Sequence, residues 1–113
     1  MPRFRETIPI DNYVLDVLMR DLVGHDRQPA AFLVYLYLYR QAQRQKWRSV
    51  RASLRMVAEG TGLSKSTAQI AVKKLRVRRL IRSTKDYLTA MPQHRVLRHW
   101  RQPVVARCAT KGK

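Results

Sequence analysis

Residues 59–75 read EGTGLSKSTAQIAVKKL. Whether the chain turns sharply between two helices here, or runs as a loop of small and hydroxyl residues, decides the fold. Gly62 can take a positive φ without a side-chain penalty, so Thr61-Gly62 supplies a turn. Ser64 then stands where a helix N-cap should. Behind it Ala68, Ala71, Val72 and Leu75 recur at i, i+3, i+4 and i+7, one narrow apolar stripe with Leu63 just before it. At about 100° per residue, Ser66, Ile70 and Lys73 point the opposite way, with Gln69 and Lys74 on the flanks. The two alanines let this helix lie close on a neighbour and leave its far face prominent. The stretch therefore reads as a helix-turn-helix whose second helix covers 64–76.

Upstream, Ser53 is an N-cap for a helix from Leu54 to about Gly60, and Met56 three residues later leaves no reciprocal capping box. A longer helix is expected from Pro29, suited to a first helical position, to about Gln45. Its YLYLY centre alternates like a strand, but the alanines before it and RQAQRQ after it favour helix. Tyr35, Tyr37 and Tyr39 then spread over more than half the circumference and cannot all be core. Asp11 caps a further expected helix, Asn12 to about Leu22, with Val14, Leu15, Leu18 and Leu22 as its apolar face and Gly24 as its end. Between helices, Val50 in WRSVRA is a candidate for a brief strand.

Downstream, LIRST from Leu80 and HRVLRHWR at 94–101 read as two strands joined by KDYLTAMPQ, a wing behind the second helix. The fold class is mainly α with a small β-wing. The expected division is an N-terminal helical segment at 1–28 that packs on the domain or dimerises it, a winged domain at 29–101, and a mobile basic tail at 102–113.

Charge narrows the function. The chain of 113 residues carries 24 Lys+Arg against 7 Asp+Glu, a formal net charge of +17. Five of the acids (Glu6, Asp11, Asp16, Asp21, Asp26) lie in the first 26 residues, which sum to −2, so residues 27–113 carry +19. Such an excess favours a polyanionic partner. Cys108 is the single cysteine and no apolar leader opens the chain, which points to a reducing, cytoplasmic location at the nucleoid. The longest apolar run, FLVYLYLY at 32–39, falls far short of the roughly 20 residues of a membrane span.

An enzyme is not expected. GTGLSKS lacks the Gly-Lys-Ser/Thr ending of a phosphate loop, because Ser64 replaces the glycine and the spacing is one short. His25, His94, His99 and Cys108 have no recognised metal spacing, and His94 and His99 would face opposite sides of one strand. No nucleophile, base and orienting group come together. No cofactor, metal or small-molecule ligand is expected.

Ser53, Val57-Ala58-Glu59, Thr61-Gly62-Leu63-Ser64, the Ala68, Ala71, Val72, Leu75 stripe and Leu80-Ile81, with PQHRVLRHW at 92–100 as a second wing strand, resemble the winged helix-turn-helix domains of bacterial transcription regulators and of plasmid or phage replication initiators. The resemblance covers roughly residues 29–101. It departs at Arg79, where the family often has Gly or Asn, so the helix is expected to end without a left-handed cap residue. The resemblance implies sequence-specific binding of double-stranded DNA by a transcription or replication regulator.

In that setting Ser66, Gln69 and Ile70 are the candidates for reading base edges in the major groove. Arg55, Ser64, Lys65, Thr67, Lys73 and Lys74 are candidates for phosphate contacts, and Arg82, Lys85, Arg95 and Arg98 for the wing. Each has a plainer reading. Ser64 and Thr67 would serve as caps, Lys73 and Lys74 as a solvated face, and Ile70 as a contact with a neighbour. Trp47 and Trp100 read as anchors for the ends of the domain. The competing function is an RNA-binding or protein-interaction module using the same basic surface. A homodimer through the near-neutral N-terminal helix is a further expectation.

Overall fold

A sixteen-residue helix, α1 (Pro29–Arg44), organises the core of the computed structural model, which describes residues 7–85 and 90–101. Proline opens it, as its fixed φ and missing N–H allow. Ala31, Phe32, Val34, Tyr35, Leu38, Tyr39 and Ala42 are buried along it, so the YLYLY segment is helical. Two tyrosines, Tyr35 and Tyr39, lie one turn apart in the core, and both hydroxyls find backbone partners. Tyr35 donates to the Leu97 carbonyl (3.2 Å) and Tyr39 accepts from the Asp11 N–H (3.1 Å). Burial pushes the Tyr35 phenol far above its ordinary value, with Tyr39 beside it adding to the shift, so it acts as a neutral donor. Tyr37 points elsewhere and lies over Gly60, where a methyl group would overlap its ring.

Helices α2 (Leu54–Thr61) and α3 (Lys65–Val77) pack against α1 and each other. A three-stranded antiparallel sheet completes the layer, with strands β1 (Val50–Arg51), β2 (Ile81–Thr84) and β3 (Gln93–Val96) in the order β1-β3-β2. The brief strand at Val50 is therefore real, and it pairs with β3. β3 is shorter than expected. It leaves the sheet after Val96 and re-enters a 3₁₀ turn at His99–Arg101, so His94 and His99 share no strand. The inner face of the sheet buries Ile81 and Val96, and the outer face exposes Arg82 and Arg95.

The N-terminal helix departs most from expectation. Val14–Leu18 and Arg20–His25 are π-helical, closed by bonds such as Asp26 N–H to the Asp21 carbonyl (2.8 Å). A wider turn brings residues four apart nearly into line. Val14, Leu18 and Leu22 consequently form the buried stripe, while Leu15, expected in the core, stands exposed in line with Met19 and Val23. Gly24 does not end the helix. Arg27, at φ 55°, does so after His25. Nor does the Asp11 carboxylate cap it, since it accepts from Trp100 Nε1 (2.8 Å) and Arg101 (3.3 Å) across the molecule.

Left-handed residues end the other helices too. Gly62, at φ 79°, closes α2 as expected. At the end of α1, Lys46 and Trp47 take φ 56° and 66°, and the Trp47 N–H returns to the Ala42 carbonyl (2.7 Å). At the end of α3 it is Arg79, at φ 58°, that turns the chain. Leu80 N–H bonds to the Leu75 carbonyl and Arg79 N–H to that of Arg76, the paired bonds of a Schellman motif. The left-handed cap is thus present, built on arginine, because Leu75 and Leu80 are both buried and require the reversal. No helix of the described residues is long and apolar enough to cross a membrane. The 102–113 tail lies outside the described residues.

Candidate nucleic-acid interface

The α2-turn-α3 unit is assembled by two serine caps. Ser53 Oγ accepts from the Met56 N–H (3.2 Å), and Ser64 Oγ accepts from the Thr67 N–H (3.1 Å) while donating to Thr67 Oγ1 (2.8 Å). Each satisfies an amide that the first turn leaves without an intrahelical partner. Between them Gly62 and Leu63 both donate to the Ala58 carbonyl, which sets the reversal. The cap accounts for Ser64, whose hydroxyl accepts from the Thr67 amide and donates to the Thr67 Oγ1.

Ala68, Ala71, Val72 and Leu75 are buried along α3, all but Val72 completely, so the helix lies tight on the core. Its other face is open. Ser66, Gln69 and Lys73 are exposed there with Ile70, which keeps 57% of its surface in solvent. No neighbour among the described residues covers Ile70. Lys65 is also exposed beside the N-terminus of the helix, where the amide ends carry partial positive charge. A groove of about 300 Å³ runs between α3 and the β2–β3 hairpin, with Gln69 and Arg76 on one wall and Thr84 and Lys85 on the other. Arg55 reaches Glu59 one turn along α2 (3.2 Å), a pair open to solvent.

The remaining candidates divide. Lys74 is not on the open face. It faces Asp26 (3.8 Å), which also holds Arg78 (3.2 Å), and Arg78 reaches Asp21 (3.5 Å). The acids of the N-terminal helix thus fasten the last turns of α3. The hydrogen bond from His25 holds the Asp26 carboxyl below the usual carboxylate range, with Arg78 and Lys74 adding to it against the cost of burial. Sequence pattern alone does not mark this anchoring, because Asp21 and Asp26 find their partners on another helix. Of the expected wing cations, Lys85 lines the groove, but Arg82 and Arg95 project from the outer face of the sheet and Arg98 covers the Trp47 ring at 3.5 Å. Trp47 and Trp100 do anchor the fold, the first against Tyr39 and the second stacked on Tyr13.

His94 fastens the sheet behind the groove. It is buried in β3, with Nε2 bonded to the Ala52 carbonyl (3.1 Å) and Nδ1 to Ser83 Oγ (2.8 Å). The carbonyl can only accept, so Nε2 carries the proton and Nδ1 accepts from the serine. Burial lowers the His94 pKa, and the nearby Arg76 lowers it further against the pull of the Ala52 carbonyl. Among the described residues no group of three or more His, Cys, Asp or Glu could hold a metal ion. Comparison with protein-family models, with curated proteins and with solved structures gives no match.

Proposed function

We propose that the chain is a winged helix-turn-helix protein that binds double-stranded DNA sequence-specifically, as a transcription or replication regulator, with α3 in the major groove and the β2–β3 hairpin as its wing. The observation that carries this reading is the open front of α3. A β-branched residue more than half exposed, set among short polar and amide side chains on a helix whose back is fixed by alanines, is shaped for base edges and their methyl groups. Gln69 is suited to a bidentate adenine contact and Ile70 to a thymine methyl. Lys65, Lys73 and Lys85 are the exposed cations of this side for phosphates, with Arg55 on α2 a further candidate once released from Glu59.

The test is fluorescence anisotropy on a mixed-sequence duplex at several salt concentrations, followed by selection from a random duplex pool. A steep salt slope with an enriched motif is expected, since counterion release gives the slope and base readout the motif. Gln69→Ala should cost roughly 1 to 3 kcal/mol on the selected site and relax one or two positions, whereas Lys73→Ala weakens all duplexes alike. Salt-dependent binding with no motif, or a preference for single-stranded RNA, would transfer the surface to the competing reading.

A second copy is the natural cover for Leu15, Met19 and Val23, which line the outer side of the near-neutral N-terminal helix. Light scattering should give a dimer, and Met19→Glu a monomer. A wild-type monomer removes this part of the proposal.

A further inference from the structure

We propose that the outer face of the β-sheet is a second site for duplex DNA, gripping the phosphate backbone of a segment other than the one on α3. The proposal rests on the DNA-binding reading only in its choice of polyanion. Its geometry is independent. A cleft of about 460 Å³ on this face is lined by Arg79, Arg82, Arg95, Arg98 and Arg101 together with Trp47. Arg101 is paired with Asp11, and Arg98 lies on Trp47. Arg79, Arg82 and Arg95 have no carboxylate within ion-pair distance among the described residues.

One feature of this cleft disfavours the folded chain unless an anion occupies it. Arg82 and Arg95 stand directly opposite one another on β2 and β3, where like charges repel. Arg79 lines the cleft from the left-handed turn that ends α3. A polyanion would relieve the repulsion, and guanidinium groups suit phosphate because their paired N–H donors match its oxygens. The backbone is the fitting target, rather than unstacked bases, because both nearby tryptophans are engaged. Trp47 carries Arg98 and packs on Tyr39, and Trp100 is stacked on Tyr13. Strand alternation sends Ser83 and His94 inward, toward the groove beside α3, and Arg82 and Arg95 the opposite way. The cleft and the groove thus lie on opposite faces of the sheet, and they meet at its edge, where Arg76 of α3 and Arg82 line one small pocket.

The experiment loads the full chain, tethered through a terminal tag, with two short duplexes in different colours at about 0.15 M salt, and counts duplexes bound per protein. Two are expected for the wild type and one for the double variant Arg82→Ser, Arg95→Ser, with the selected-site affinity of that variant kept within about threefold because only solvent-screened charge is lost from it. Its Tm should equal or exceed that of the wild type, since a repulsive pair has been removed. A wild type that holds one duplex overturns the second site and leaves the α3 reading intact. A second duplex lost with Arg82 and Arg95 but no motif dependence on Gln69 keeps the second site and sinks the α3 reading. Displacement of the second duplex by polyglutamate, or by a single strand, at equal charge and with equal potency overturns the assignment to duplex DNA, and a lowered Tm overturns the repulsive pair from which the anion site is argued.

Discussion

The two ends of α3 are held in different ways. Its first turns are capped by serine, backed by alanines and a sheet pinned through neutral His94, and face solvent with uncharged side chains beside the single cation Lys65. Its last turns are tied to the N-terminal helix by ion pairs from Lys74 and Arg78 to Asp26 and Asp21. A cation count over the helix treats these ends alike. The contrast teaches that part of the basic excess is internal, neutralised by the acids the N-terminal segment brings, and that the face proposed for DNA is marked by open polar groups as much as by charge.

Breaking both ends at once has the largest expected effect. Leu75 is completely buried beneath α3, and Leu75→Ala should cost about 2 to 5 kcal/mol in urea unfolding, through lost burial and the cavity left behind. A cost below about 1 kcal/mol would mean that α3 is not fastened to this core.

The next effect belongs to the first end alone. His94→Ala leaves the Ala52 carbonyl and the Ser83 hydroxyl unpaired in a buried site, at a cost of about 1 to 3 kcal/mol. It also carries a pH signature. The folded chain resists protonating His94, so as pH falls below 6.5 the unfolded chain gains a proton the folded chain refuses. Stability attributable to His94 is full above that value and declines toward the lowered folded pKa, below which it levels. Tm measured between pH 7.5 and 5 should fall more steeply for the wild type than for His94→Gln, and parallel curves would refute the buried neutral imidazole.

The second end responds to salt instead. Asp26→Asn should cost about 1 kcal/mol, since its partners are partly solvated, and the difference from wild type should shrink as salt is raised. Because the folded pKa of Asp26 is depressed, its contribution is present above the ordinary value of 3.8 and lost as pH falls below it. Gln69→Ala is the control, with affinity altered and Tm unchanged. A salt-independent loss in Asp26→Asn would place the role of Asp26 in packing.

Much of the fold was legible because local chemistry decided it. Pro29, Ser53, Gly62, Ser64 and the Ala68, Ala71, Val72, Leu75 stripe each act within one helical turn, and their elements lie within a residue or two of where the sequence puts them. The open front of α3 followed from the same periodicity. What escaped was non-local or depended on an unusual turn. Leu15 was misread because the apolar pattern at 14, 15, 18 and 22 suits an α-helix as well as a π-helix, and only the bonding distinguishes them. Lys74 was misread because its partner lies on another helix. Arg82 and Arg95 were grouped with Lys85 because the positions of two adjacent strands do not reveal which face meets the core.

Arg79 is the sharpest of these misses and tests the second end most finely. Its sequence neighbours gave no glycine, yet the buried pair Leu75 and Leu80 forces the left-handed turn, so the residue bears the cost. Arg79→Gly removes the clash between Cβ and the backbone but adds freedom to the unfolded chain, and a net gain of about 0.5 to 1 kcal/mol is expected. The gain should leave selected-site binding unchanged and reduce occupancy by a second duplex, because the same side chain lines the arginine cleft. A variant that loses stability would show that Arg79 contributes contacts worth more than its strain, and the turn at the end of α3 would then be held by the side chain as well as by Leu75 and Leu80.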